Sequence, residues 1–122
     1  MAKETQVQGA SIAELTLNAY EYAYEQGWTD GLPIIPPSEE LVQRFVAASH
    51  RGAKETIAVL PPRKGVTTVE VIAVNAVMSG CLPEYMPIII AAVEALSDAT
   101  FPLELIQVTT NPMTPLLLLN GP

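Results

Sequence analysis

No lysine or arginine occurs between Gly65 and Pro122, nearly half of a 122-residue chain. A soluble domain keeps strongly hydrated side chains on its open surface, because Lys, Arg, Asp and Glu are rarely fully buried. Five acids, Glu70, Glu84, Glu94, Asp98 and Glu104, are the only charged residues of this half, and it runs out through Leu116-Leu117-Leu118-Leu119. A stretch so poor in charge is expected to be covered on more than one side. Its own core supplies one cover; a second protein chain docking on 65–122 is expected to supply another.

Composition narrows the classes. Thirteen acids against six bases give a net charge of −7, which argues against a nucleic-acid footprint and against anionic membrane surfaces. A hydrophobic fraction of 49% excludes general disorder. The length suits one domain, divided into a polar N-terminal arm, 1–9, and a single α/β domain or part-domain, 10–122. No run reaches the roughly 18 apolar residues of a membrane span; Met86 to Leu96 is shorter and carries Pro87 and Glu94. Met1 to Gln6 has no apolar core or small-residue cleavage site, so no signal peptide is expected. A single cysteine offers no internal disulfide, and the expected compartment is the cytoplasm.

Local signals place the elements. Ser11-Ile12-Ala13-Glu14 reads as a capping box opening a helix to about Gln26, with Gly27 as its stop. Ser38 caps a second helix to about Ser49, buried through Leu41, Val42, Phe45 and Val46. Thr56 to Leu60 reads as a short strand. Thr67 with Glu70 offers another capping box for an almost wholly apolar helix to about Ser79, ended by Gly80. Pro83 suits the first turn of a fourth helix reaching about Ser97, and Pro87 predicts an irregular first turn or a kink. Leu103 to Val108 and Leu116 to Leu119 read as buried strands. The expected fold is therefore mixed α/β: about four helices on a small sheet completed by a partner chain.

Three runs together carry a resemblance: Gly27-Trp28-Thr29-Asp30-Gly31-Leu32-Pro33-Ile34-Ile35-Pro36-Pro37, Val59-Leu60-Pro61-Pro62-Arg63 and Gly80-Cys81-Leu82-Pro83-Glu84-Tyr85. They resemble a family of uncharacterised bacterial proteins, generally longer than this chain, over nearly its whole length. In those longer members a segment like Asn120-Gly121-Pro122 lies inside the polypeptide. The resemblance implies an N-terminal portion made as, or cut into, a small subunit whose missing part is a second chain.

Several residues carry candidate chemistry, each beside a plainer role. Cys81 precedes the Pro83 helix start, where free amides and the helix dipole favour a thiolate nucleophile; the plainer role is a small buried hydrophobe. Glu84 is either an acid/base group facing Cys81, with Tyr85 donating to a substrate oxygen, or a solvated acid balancing the dipole. Asp30, with Trp28, is either part of a binding rim held by the stiff proline segment or a cap on its own turn. Thr109, Thr110 and Asn111 leave a strand where α/β ligands gather, or satisfy their own turn; Asn120 shares that ambiguity. His50 is the only histidine, and one His with one Cys gives no metal-ligand spacing. No phosphate-binding glycine loop or nucleophile elbow is present.

These signals lead to two expectations. One is a small subunit of a heteromeric cytoplasmic enzyme acting on a small molecule, sharing an active site through acid/base or thiol-assisted chemistry of lyase, hydratase or hydrolase type. The other is a non-catalytic subunit that scaffolds a catalytic partner.

Overall fold

The computed structural model describes residues 5–121. In chain order it forms helices α1 (Ile12–Glu25) and α2 (Glu39–Ala48), strands β1 (Thr56–Leu60) and β2 (Gly65–Thr68), helix α3 (Val69–Met78), a 3₁₀ turn Pro83–Tyr85, helix α4 (Met86–Leu96) and helix α5 (Leu103–Val108). The mixed helix-and-strand character agrees with the sequence. The sheet is a two-stranded antiparallel hairpin, Val59 opposite Val66 and Leu60 opposite Gly65.

The helix starts follow the local chemistry. Ser11 Oγ accepts from the Glu14 amide at 3.2 Å, and Glu14 Oε2 reaches back to the Ala10 amide at 2.8 Å. Ser38 Oγ accepts from the Leu41 amide. The third cap is Thr68, which accepts from the Val71 amide, and not Thr67; Thr67 is buried in β2. That strand was not anticipated, because Gly65-Val66-Thr67-Thr68 reads as turn and cap. Its pairing with β1 shifts the helix start by one residue.

Two strand expectations are corrected. Leu103–Val108 is the helix α5: Leu, Glu and Gln are good helix formers, and the short hairpin offers this segment no ladder. Leu116–Leu119 is exposed and forms no strand among the described residues. Among the described residues the sheet thus has two strands where three were expected, and the chain has five α-helices where about four were expected. At α4 the irregular start expected from Pro87 is present as the 3₁₀ turn, with the α-helix beginning only at Met86.

The core lies between α2, α3, α4 and the hairpin. Val42, Phe45 and Val46 from α2 meet Val69, Ile72, Ala73, Ala76 and Val77 from α3, closed by Met86 and Ile90. Arg51, after α2, clamps this unit: its guanidinium donates to Glu55 at 2.7 Å and to Glu94 of α4 at 2.6 Å. The hydrogen bond from Arg51 holds the Glu55 carboxyl below its usual range.

No residue of α1 or α5 belongs to that core cluster. α1 buries only Ala23, although Ile12, Leu15, Leu17 and Tyr24 are exposed along it. The preceding segment folds back on it, with Thr5 Oγ1 3.1 Å from the Tyr22 hydroxyl and Asn18 donating to Gln8 O at 2.7 Å. The remainder of the expected polar arm, residues 1–4, lies outside the described residues.

The surface is correspondingly large. The chain exposes 9194 Å², whereas a compact chain of 13.1 kDa exposes about 6,400 Å². The excess, about 2,800 Å², exceeds the roughly 800 Å² that each partner buries in a standard protein interface. Much of it is apolar: Leu116 and Leu118 are 81% and 85% exposed, and Leu105, Val108 and Leu119 are also open.

Candidate functional site

The Trp28–Pro37 segment is fixed at both ends by helix C-termini. α1 stops in a Schellman arrangement: Gly27, at φ 69°, donates to Tyr24 O, and Trp28 N donates to Ala23 O, both at 3.0 Å. α3 stops the same way, with Gly80 at φ 74° donating to Val77 O and Cys81 N to Ala76 O. Between these ends Tyr20 Oη donates to Gly31 O at 2.8 Å, and Ile35 N donates to Met78 O at 3.3 Å. The stiff proline run is thereby laid across the end of α3.

Gly80 is needed for its backbone rather than for space, since an added Cβ would meet only Ile35 Cδ1, at 3.8 Å. Gly80→Ala is therefore expected to cost about 1–2 kcal/mol through the left-handed conformation alone. A urea midpoint lowered with the m-value unchanged would register it; an unchanged midpoint would mean that α3 does not need this stop.

Between the two helix ends lies an open cleft of about 390 Å³, lined by Trp28, Thr29, Asp30, Asn75, Met78 and Ser79 together with the Leu32-Pro33-Ile34 wall. The sequence nominated Trp28 and Asp30; Thr29, Asn75 and Ser79 were missed. Asn75 had a signal, as the one amide side chain in a helix otherwise apolar but for Glu70. Ser79 had none beyond its place next to Gly80.

Local hydrogen bonding settles which residue serves the turn. Thr29 Oγ1 donates to Leu32 O at 2.6 Å and accepts from Gly31 N at 3.2 Å. The capping duty expected of Asp30 belongs to Thr29, and Asp30 takes part in no ion pair among the described residues. Trp28 is half exposed, and its ring meets Tyr22 edge-on, centroids 5.6 Å apart and planes at 89°, which fixes the indole on the cleft rim. Asn75 Nδ2 donates one N–H to Val71 O at 2.8 Å, so its Oδ1 and its second N–H remain open.

Cys81 lies elsewhere in character. It is half-buried against the core and its amide is spent on Ala76 O. The three-residue Pro83–Tyr85 turn separates it from the start of α4. Its nearest helix end is the C-terminus of α3, whose field opposes an anion. The helix-N-terminus environment expected for a reactive thiol is thus not what surrounds Cys81. Glu84 and Tyr85 sit exposed on the turn and do not line the cleft. Thr109, Thr110 and Asn111 follow α5 rather than a strand, and Thr109 Oγ1 accepts from the Asn111 amide at 3.2 Å, a turn bond. Asn120 lies in the exposed C-terminal tail; Pro122 is outside the described residues.

Among the described residues no three His, Cys, Asp or Glu side chains gather into a metal site, and no helix is long and apolar enough to cross a membrane. Comparison with protein-family models, with curated proteins and with solved structures gives no match for this chain.

Proposed function

We propose that the chain is the small subunit of a heteromeric cytoplasmic enzyme, and that the Trp28–Ser79 cleft is its share of a site for a small molecule. The observation that carries this reading is the surface: about 2,800 Å² beyond a compact monomer, much of it apolar and without a single cation after Lys64. A second chain covering α5 and the leucine tail removes that surface from water. Asp30 is the group for proton transfer, because it is exposed in the cleft and relieved of turn duty by Thr29. Asn75 Oδ1 and Ser79 orient the substrate. Acid/base chemistry of the lyase, hydratase or hydrolase type fits this set better than thiol chemistry. The scaffold reading draws its support from Cys81, packed against the core at a helix C-terminus.

Purification of the full chain from its native cells, followed by carbene footprinting, tests the reading. A second polypeptide in stoichiometric amount is expected, with labelling of 103–121 suppressed in the complex relative to the isolated chain. Recovery of the chain alone, its leucine tail fully labelled, would contradict it.

A further inference from the structure

We infer that the Trp28–Ser79 cleft selects a small organic cation, an alkylated ammonium or a protonated amine; this rests on the reading of that cleft as a small-molecule site. Three features agree in sign. Asp30 supplies the one carboxylate of the lining, and no lysine, arginine or histidine lines the cleft. Trp28 supplies an indole, the strongest cation–π partner among side chains. The cleft lies at the C-terminal ends of both α1 and α3, where helix dipoles present partial negative charge. Neither helix carries a basic residue in its last turn to offset that field.

The remaining polar side chains of the lining are uncharged. Asn75 donates one amide N–H to Val71 O at 2.8 Å, which leaves its Oδ1 and one N–H open. Thr29 is occupied with Gly31 and Leu32. An anion would meet a carboxylate and two negative helix ends with no cationic side chain to hold it. A hard divalent ion needs six or more oxygens, and the described residues assemble no carboxylate group of that kind. An organic cation needs one counter-charge, an aromatic surface and apolar walls, and Leu32, Pro33, Ile34 and Met78 provide the walls. The volume, about 390 Å³, lies at the small end of ligand sites.

Trp28 is the only tryptophan, so its emission reports on the cleft directly in the full-length chain. Choline and its neutral isostere 3,3-dimethylbutan-1-ol form the probe pair, with sodium acetate as the anion. Choline is expected to change Trp28 emission saturably in the millimolar range and to bind about tenfold tighter than the alcohol; acetate is expected to have no effect. Asp30→Asn, on an exposed turn, is expected to keep the wild-type far-ultraviolet circular dichroism and lose most of the preference. Amide shifts of Asn75 and Ser79 give a second readout that does not depend on the indole. Equal binding of choline and the alcohol, or undiminished choline selectivity in Asp30→Asn, would overturn the charge assignment and leave the cleft standing. Silence of Trp28 and of both amides to every probe up to 50 mM, a ceiling of roughly −2 kcal/mol in binding free energy, would overturn the cleft reading and this inference with it.

Discussion

Phe45→Ala is expected to lower the stability of the isolated fold by about 3–5 kcal/mol, the usual cost of removing a buried aromatic ring. Phe45 is 4% exposed and stands at the centre of the α2 face that meets α3 and α4. Few large side chains share that centre: Met86 and Val69 are the largest of those wholly enclosed. Phe45 belongs to the same buried cluster as the α3 residues Ile72, Ala73, Ala76 and Val77. Domains of this size are stable by about 5–15 kcal/mol, so the variant sits near the threshold of folding. Urea unfolding followed by circular dichroism measures the loss. A change below about 1 kcal/mol would mean that α2 is not packed as described.

The second large effect concerns association and spares the fold. Leu116→Ser with Leu118→Ser is expected to leave the unfolding midpoint within about 0.5 kcal/mol of wild type, as surface substitutions do. The same pair is expected to weaken binding of the proposed companion chain by tenfold or more, given about 1.5–3 kcal/mol for each leucine fully taken out of water. The two readouts separate a folding role from a docking role. At 81% and 85% exposure these leucines contribute almost nothing to the core, yet each carries a full apolar side chain into solvent. Isothermal titration with the purified partner checks the affinity. An unchanged affinity would place the interface away from the tail, on the exposed faces of α1 and α5.

What was legible in the sequence was local. Ser11, Ser38, Gly27 and Gly80 act through bonds within one or two turns of themselves, so their roles follow from their neighbours. The strand β1 was legible for the same reason, bounded by a polar start and the Pro61-Pro62 turn. Leu103–Val108 was not, because a short apolar run fits a buried strand and a helix equally until its surroundings are known. β2 was hidden behind a turn signal, and only its pairing with β1 reveals it.

The candidate site was half legible. Trp28 and Asp30 share a turn that announces itself through Asp-Gly and the prolines. Asn75 and Ser79 join them only because Ile35 N bonds Met78 O and lays the loop over the end of α3, a long-range event that no local pattern encodes. The surroundings of Cys81 were not legible. Its sequence position ahead of Pro83 suggests a helix start, but the chain spends its amide finishing α3, and the thiol inherits a helix end of the other polarity.

Sedimentation velocity on the purified chain alone, across a range of concentrations, tests the claim that its cation-poor apolar surface exists to be covered. The account predicts concentration-dependent self-association that disappears when the native companion is added at equal molarity. A single species of 13.1 kDa, unchanged from dilute to concentrated solution and indifferent to any added chain, would contradict it.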